Sequence, residues 1–223
     1  MITSPQNETL KLVRKLHARR WRDKLGLFAA EGEDLVDAAL EAGLEPVELL
    51  VAGENVEPDL LAGVSTLPHP ARAIGVFRRG DLPADEARPV ALSLWRLADP
   101  GNVGTLIRTA DAFGASVELT PGCADPTGPK ALRASAGAVF RVPLGAAEGT
   151  RIGLVAHGGR PLHEVAAGEG TVFVLGAERG GLSPEAARNC DELVTIPTPG
   201  AAESLNVAAA GAIALYEWSR RRS

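Results

Sequence analysis

Apolar residues at helical and alternating spacings predict a compact α/β unit at the start of the chain. Leu10, Val13 and Leu16 recur at helical spacing with basic residues between them, so residues 8–16 are predicted to form an amphipathic helix. A second helix with a buried stripe of leucine and alanine is predicted at 34–42, where a glycine ends it. The strands predicted around these helices are 28–30, 47–51 and 74–77.

Short apolar strands alternate with helical patterns in the rest of the chain, from Val90 onward. An uninterrupted apolar strand such as 172–175 is buried on both faces, as in a parallel sheet covered by helices. The last helix is apolar nearly all round, so we expect it to be buried within the domain or at a subunit contact. The predicted strands are 90–94, 117–120, 152–156, 171–175 and 193–196, and the predicted helices are 102–113, 129–136, 184–189 and 205–220.

A polar, proline-bearing stretch at 80–89 has no apolar periodicity and separates these two parts. Such a composition is typical of a domain boundary. We therefore predict an N-terminal α/β domain at 1–82, a linker at 83–89 and a second α/β domain at 90–223.

The composition of the 223-residue chain is that of a globular protein, with 45% hydrophobic and 23% charged residues. No apolar run approaches the ~18 residues that cross a bilayer. Charged residues interrupt the first apolar stretch, so a cytoplasmic protein without a membrane partner is expected. Cys123 and Cys190 lie far apart without histidines at metal-binding spacing, which argues against a disulfide scaffold or a zinc site.

Positive charge is concentrated near the N-terminus, although the whole chain has a net charge of −5. Residues 11–24 contain seven basic residues and one acidic residue. A basic stripe on an acidic protein is typical of a phosphate-rich partner contacted at one face. An ordinary solvated helix face accounts for the same pattern equally well.

Several common catalytic motifs are absent from the sequence. The chain has no GxGxxG turn after a strand and no GxxxxGK[ST] loop, which argues against a standard dinucleotide site and the common nucleotide hydrolases. His163 and Glu164 begin like a zinc-protease helix, but Ala167 stands where the second histidine belongs. Ser135 lacks the first glycine of a nucleophile elbow.

The first of three polar loops opens the helix predicted at 102–113. Asn102 is expected at the start of this helix, where its side-chain oxygen can cap free N–H groups. Arg108 falls about 140° from Val103 around the helix and therefore points away from the apolar stripe. The pattern fits an ordinary capped helix, and it also fits an anion-handling pocket at a helix N-terminus.

The second loop is a glycine-rich turn at 176–183 that directly follows a buried strand and contains Glu178. Glycines at the carboxyl end of a strand permit a ligand to lie against backbone groups. A plain turn with an exposed glutamate is the alternative interpretation.

The third loop is a proline- and glycine-containing segment that follows the strand predicted at 193–196 and leads into the last helix. Ser204 and Asn206 flank Leu205 where that helix begins. Ser204 fits a simple N-cap, whereas the amide of Asn206 requires hydrogen-bond partners if it enters an apolar helix.

In this order the three loops resemble the motifs of the SpoU (TrmH) family of RNA ribose 2′-O-methyltransferases, within the SPOUT class. The resemblance spans roughly residues 90–220 and is specific as a set, although each motif alone is weak. The segment FAAEGEDLVDAALEAG is similar to the small ribosomal-protein-like substrate-binding domain that many of these enzymes carry. The matching motifs read NVGTLIRTADAFG, VLGAERGGLS and IPTPGAAESLNVAAAGAIALYE.

The resemblance implies a parallel-sheet catalytic domain with a C-terminal trefoil knot, a homodimer, and S-adenosyl-L-methionine (AdoMet) as methyl donor without a metal. A polar residue often precedes the glutamate in the second motif, but here Ala177 does. The polar active-site positions it implies are Asn102, Arg108, Glu178, Ser204 and Asn206. The cofactor positions it implies are Gly176, Ile196 and Leu205 through their main chain, together with Glu178, Gly181 and Pro197.

The implied activity is AdoMet-dependent methylation of a ribose 2′-hydroxyl in structured RNA, with 23S ribosomal RNA favoured over transfer RNA. Arg108 is too basic for a simple proton acceptor, so we expect it to grip the neighbouring phosphate and orient the hydroxyl. Three alternatives remain: a non-catalytic RNA-binding protein of the same fold, a methyltransferase acting on a base nitrogen, and a small-molecule α/β enzyme.

The basic N-terminal segment is predicted to supply sequence-tolerant phosphate contacts through its arginines. Trp21 either stacks on a base or fills a core. The predicted RNA-binding residues are Arg14, Arg19, Arg20 and Arg22.

Overall fold

The computed structural model describes residues 1–84, 86–178, 180–200 and 203–221. The helices are α1 (Glu8–Leu16), α2 (Arg19–Leu25), α3 (Glu33–Glu41), α4 (Pro58–Ala62), α5 (Pro100–Phe113), α6 (Pro129–Ser135), α7 (Pro184–Arg188) and α8 (Val207–Arg220). The strands are β1 (Leu27–Glu31), β2 (Glu48–Val51), β3 (Ala73–Arg78), β4 (Val90–Leu94), β5 (Ser116–Leu119), β6 (Thr150–Leu154), β7 (Arg160–Pro161), β8 (Thr171–Leu175) and β9 (Glu192–Thr195).

The N-terminal part is a small α/β unit around a three-stranded antiparallel sheet in the order β1-β3-β2. The predicted stripe of Leu10, Val13 and Leu16 is at most 1% exposed and packs against the sheet residues Leu50 and Ile74. The helices α2 and α4 were not predicted, because each is short and has too few apolar residues to show a period.

The C-terminal part contains a six-stranded sheet in the order β5-β4-β8-β6-β9-β7, in which every strand pair is parallel. This confirms the predicted parallel sheet. The strands β4 and β8 pair inside this sheet and are buried at every position, as their mostly apolar sequences predict. Because all strands run the same way, the loops that follow β4, β5, β8 and β9 leave the sheet at one edge. The trefoil knot stays a prediction.

Helix α5 packs against α6 and α8 through positions that only glycine fits. A Cβ at Gly104 would lie 2.4 Å from the carbonyl oxygen of Ala131 in α6. A Cβ at Gly211 in α8 would lie 2.4 Å from Cδ2 of Leu106 in α5. The backbones of α5 and α6 therefore approach closely at Gly104, while the side chain of Leu106 fills the space beside Gly211 of α8.

The two parts of the chain share one hydrophobic core. Phe28 and Phe77 of the N-terminal sheet lie 5.8 Å apart, and Phe140 of the C-terminal part lies 6.1 and 6.5 Å from them, all measured between ring centroids. All three belong to the cluster that also contains Leu92 and Leu94 of β4. The division at 83–89 predicted from sequence therefore separates two units that are packed against each other.

A buried ion pair joins α2 to the loop between β5 and α6. Arg22 is 4% exposed, and its Nε donates to Oδ2 of Asp125 at 2.7 Å. Its Nη1 donates to the carbonyl oxygens of Leu16 and His17. The expectation that Arg22 contacts RNA is thus corrected: its donors are used inside the protein, and its side chain does not reach the surface.

The carboxyl group of Asp125 is held in its ionised form. Burial alone raises its pKa, but hydrogen bonds from Thr127 and Arg22, and the nearby charge of Arg79, outweigh burial and lower the pKa overall. Since the folded-state pKa is below the unfolded one, this group stabilises the fold above the ordinary aspartate pKa. That stability is lost as the pH falls through the folded-state value.

The substitution Asp125→Asn is expected to lower the free energy of unfolding at neutral pH by about 3–5 kcal/mol, because it leaves the buried Arg22 without its counter-charge. Urea unfolding followed by circular dichroism measures this loss. In Asp111→Asn, which breaks the more exposed pair with Arg141, the loss should be under about 1 kcal/mol. Equal losses in both variants would contradict a stabilising role for the buried Arg22–Asp125 ion pair.

Candidate active site

Hydrogen bonds join the three polar loops at the carboxyl edge of the parallel sheet. Nδ2 of Asn206 donates to Oδ1 of Asn102 at 3.2 Å, and Nδ2 of Asn102 donates to Oε1 of Glu178 at 3.3 Å. The same Glu178 oxygen accepts the backbone N–H of Asp99 at 2.9 Å. The structure therefore brings together side chains from the loops after β4, β8 and β9.

Asn206 both caps α8 and takes part in this chain of hydrogen bonds. Its Oδ1 accepts the N–H groups of Ala208 and Ala209 at 2.8 and 3.3 Å, while its Nδ2 binds Asn102. The amide thus has the partners that its position demands, as predicted. The helix begins at Val207, so the alternative in which Ser204 is the N-cap is wrong.

The N-cap of α5 is Asp99 and not Asn102, which corrects the sequence prediction. Pro100 occupies the first helical position, and Oδ1 of Asp99 accepts the N–H of Asn102 at 2.9 Å. The aspartate before this proline was the signal that sequence reasoning missed. Since Asp99 caps the helix, the side chain of Asn102 is not needed as a cap. Its amide binds Glu178 and Asn206 instead.

Lys130 on α6 reaches the same cap. Its Nζ donates to Oδ2 of Asp99 at 2.9 Å. This hydrogen bond is the largest cause of the lowered pKa of the Asp99 carboxyl, and the hydrogen bond from the N–H of Asn102 is the second largest. Lys130 was not among the predicted site residues.

Glu178 carries a negative charge at the centre of the site. Partial burial raises its pKa, but hydrogen bonds from backbone N–H groups, including that of Asp99, and from the Asn102 side chain lower it overall. The carboxylate is therefore an acceptor that holds the β4–α5 loop and Asn102 in place.

A cavity of about 630 Å³ opens beside this chain of hydrogen bonds. That volume falls within the range of roughly 300–1,000 Å³ that is typical of small-molecule sites. Pro197 and Arg108 do not line it, although both were predicted site residues, whereas His157 and Thr198 line it and were not predicted. The predicted residues that do line the cavity are Gly176, Glu178, Gly181, Ile196, Ser204, Leu205 and Asn206.

The glycine-rich loop presents its backbone to this cavity because it is folded tightly on itself. A Cβ at Gly176 would lie 2.1 Å from the carbonyl carbon of Gly181, which has φ of +61°. The N–H of Gly181 donates to the carbonyl oxygen of Ala177 at 2.8 Å. Gly176 and Gly181 both line the cavity and have no side chains, so their backbone groups are accessible to a ligand there.

Arg108 lies on the exposed side of α5, six residues beyond Asn102, as its angular position predicted. Among the residues that the structure describes, no carboxylate pairs with its guanidinium group. It is therefore a free cation close to the site, with five donors available to an anionic ligand.

A second group of free cations lies on α1 and α2. Arg20, Lys15 and Lys24 stand 5.7, 5.4 and 5.2 Å from the ring centroid of the half-buried Trp21. The structure thus places Trp21 among cations at the surface, with part of its ring accessible. Arg14 and Arg19 are also exposed, and Nη1 of Arg19 donates to the carbonyl oxygen of Cys123.

Comparison with known proteins places this site in a family. Residues 89–216 match the model of the SpoU rRNA methylase family, and residues 7–76 match the MRM3-like substrate binding domain. This chain belongs to the SpoU rRNA methylase family. The resemblance seen in its motifs, and the SPOUT-type fold expected from them, are confirmed.

Several known proteins are similar to this SpoU family member over nearly its whole length. The 23S rRNA (guanosine(2553)-2′-O)-methyltransferase RlmP of Bacillus subtilis is 33% identical over 96% of this chain and 97% of that protein. The AdoMet-bound rRNA methyltransferase from Sinorhizobium meliloti superposes with a TM-score of 0.88 at 29% identity, covering 99% and 97% of the two chains. The SpoU methyltransferase AviRb from Streptomyces viridochromogenes, in complex with AdoMet, superposes with a TM-score of 0.85 at 27% identity. The superposition covers 97% of this chain and 98% of that chain.

Two further properties follow from the described part of this SpoU family member. None of its helices in the described ranges has the length and apolar character that a bilayer crossing demands. Nor do its described residues bring three or more His, Cys, Asp or Glu side chains together in a metal-binding group.

Proposed function

We propose that this protein methylates a ribose 2′-hydroxyl of 23S ribosomal RNA in the cytoplasm, with AdoMet as the methyl donor. The observation that carries the proposal is the chain of hydrogen bonds from Asn206 through Asn102 to Glu178, two members of which, Asn206 and Glu178, line a cavity of about 630 Å³. Membership in the SpoU family and the full-length similarity to RlmP of Bacillus subtilis support the reaction and the substrate class.

The cavity fits AdoMet by its size and by the groups that it presents. The main chain at Gly176, Ile196 and Leu205 would hold the cofactor, and Glu178 and Gly181 line the same wall. The tight packing of Gly176 against Gly181 keeps side chains out of this wall, so that backbone groups face the ligand. When bound, AdoMet supplies a methyl group that is already activated by its attachment to a sulfonium.

Arg108 orients the reacting hydroxyl by holding the phosphate next to it. Its planar guanidinium group binds two phosphate oxygens at once, which fixes the ribose between the helix and the cavity. The side-chain pKa of arginine is above about 12, so the group stays protonated, and the hydroxyl proton passes to the neighbouring phosphate oxygen. Most of the rate enhancement then comes from alignment.

Asn102, Glu178 and Asn206 hold the frame in which this alignment occurs. Each amide already uses its side chain to bind another loop, so movement of one loop displaces the others. Ser204 lines the cavity without an assigned partner in the described residues and contributes a hydroxyl to the bound ligands.

RNA binding extends from the site to the exposed arginines of the N-terminal unit, Arg14, Arg19 and Arg20. These side chains make few contacts within the protein and supply phosphate contacts that do not depend on sequence. The match of residues 7–76 to a substrate-binding domain supports this role.

A homodimer is also part of the proposal. Ala209, Ile213 and Tyr216 form an exposed apolar stripe along α8, with Ile213 38% and Tyr216 58% exposed. An apolar stripe on a helix that also forms the core is typical of a subunit contact.

The central experiment incubates the purified protein with AdoMet and 23S ribosomal RNA transcribed in vitro, and maps ribose methylation by mass spectrometry of nuclease digests. We expect one 2′-O-methylated nucleotide in the 23S transcript and none in transfer RNA transcripts. Methylation of a base nitrogen, of transfer RNA alone, or of neither RNA would each contradict the proposal.

The substitution Arg108→Lys is expected to reduce turnover by roughly a hundredfold, because lysine keeps the charge but loses the planar fork that aligns the phosphate. AdoMet affinity, measured by calorimetry, should not change, since Arg108 does not line the cavity. Arg141→Lys, at an exposed ion pair, is the control. Full activity of the Arg108 variant would refute the positioning role.

The double variant Arg19→Gln and Arg20→Gln should bind the 23S transcript at least about tenfold more weakly. The slope of log affinity against log salt concentration should also fall, by the amount expected for about two lost phosphate contacts. Its AdoMet affinity should equal that of the unmodified protein. Arg72→Gln with Arg160→Gln removes two exposed arginines that lie outside α1 and α2 and serves as the control. Parallel loss of RNA and AdoMet binding would argue against separate roles for the two units.

The substitution Tyr216→Arg should shift the mass measured by light scattering from that of a dimer to that of a monomer, because it places a charge in the apolar stripe. Lys11→Gln, on the distant helix α1, should leave the mass unchanged. A monomeric mass for the unmodified protein would rule out the dimer.

A further inference from the structure

Arg96 adopts a backbone conformation that is unfavourable for an arginine. Its φ is +52°, and among the described residues only Ala136 is another non-glycine residue with positive φ. The left-handed region brings Cβ close to the backbone, so a residue with a side chain occupies it at an energetic cost. Such strain is concentrated at functional sites.

The surrounding structure holds Arg96 in this conformation. Its N–H donates to Oγ1 of Thr120 at 3.0 Å, and that hydroxyl donates to the carbonyl oxygen of Leu94 at 2.9 Å. The preceding N–H, of Trp95, donates to the carbonyl oxygen of Leu175 at 2.8 Å. The ends of three strands, β4, β5 and β8, therefore fix the backbone from which this exposed side chain extends.

The guanidinium group of Arg96 is displayed to solvent without a counter-charge. Its Cζ stands 5.8 Å from the ring centroid of Trp95, and within the described ranges no carboxylate pairs with it. An arginine that rests on an aromatic face keeps the N–H groups at its edge free to donate. Other exposed arginines, such as Arg72 and Arg160, have a carboxylate partner.

Arg96 lies between the basic face of α2 and the candidate active site. It belongs to the loop that carries Asp99 and Asn102, and β4 stands between β5 and β8 in the sheet. On the β5 side, a Cβ at Gly122 would lie 3.3 Å from Cγ of Arg96, and the adjacent Cys123 accepts a hydrogen bond from Arg19. Exposed cations thus continue from Arg19 of α2 to Arg96 in the loop that leads into α5.

We infer that Arg96 binds a backbone phosphate of the RNA between the segment held by α2 and the methylated nucleotide. The inference rests on the proposed function, because it identifies how the same substrate reaches the same site. The planar fork of an arginine binds two phosphate oxygens at once, and stacking on Trp95 orients that fork in advance. A purely structural role at this φ would be served better by glycine, which adopts it without strain.

The substitution Arg96→Gly separates binding from stability. RNA affinity, measured by filter binding with the 23S transcript, should fall by roughly tenfold, and the salt dependence should fall by about one phosphate contact. The melting temperature should stay the same or rise, because glycine relieves the backbone strain. AdoMet affinity should not change.

Two further variants complete the test. Arg96→Lys restores the charge and should bind the transcript more tightly than Arg96→Gly. Arg188→Gln removes an exposed arginine at the end of α7 that the proposal does not use, and it should leave RNA affinity unchanged.

Unchanged RNA affinity in Arg96→Gly would overturn the inference, as would a lower melting temperature with joint loss of AdoMet and RNA binding. Equal weakness of the lysine and glycine variants would also overturn it, since a phosphate contact is partly restored by any cation. All of these outcomes are measured as RNA or AdoMet binding, or as melting temperature, of the Arg96 variants. The proposed function fails in a different measurement, namely if the unmodified protein does not methylate ribose in the RNA.

Discussion

Parallel strand direction is the constraint on which the site depends. The central strands β4 and β8 and the more distant β9 all end at one edge, so loops that are far apart in sequence leave the sheet together. The amides of Asn102 and Asn206 then link these loops through Glu178. A single hydrogen-bonded path therefore spans a helix start, a glycine-rich turn and a second helix start, and the cavity opens along it.

The parts of the fold that were predictable from sequence are those where burial alone decides the structure. Strands β4 and β8 have the predicted bounds because every residue in them is buried and all but Ser93 and Thr171 are apolar. The stripe of α1 was equally clear, since one face is buried and the other is basic. The two-residue strand β7 lies at the edge of the sheet and contains a proline, so it has no apolar pattern to detect.

The parts of the site that were not predictable depend on partners distant in sequence. Arg22 is one of seven basic residues in a short segment, and nothing local shows that Asp125 buries it. The sequence predicts Asn102 as the N-cap of α5, but in the structure Asp99 fills that role. The positive φ of Arg96 follows from contacts with Thr120 and Gly122 in another loop, and no propensity at Arg96 itself indicates it.

The shared aromatic cluster of Phe28, Phe77 and Phe140 has a consequence for substrate selection. Because this core and the Arg22–Asp125 pair lock the N-terminal unit to the sheet, the spacing between the cations of α2 and the reacting ribose is set by the protein and does not vary with a linker. An RNA that engages both must already hold those groups at that separation. Recognition would then select the three-dimensional shape of a folded RNA more than its base sequence.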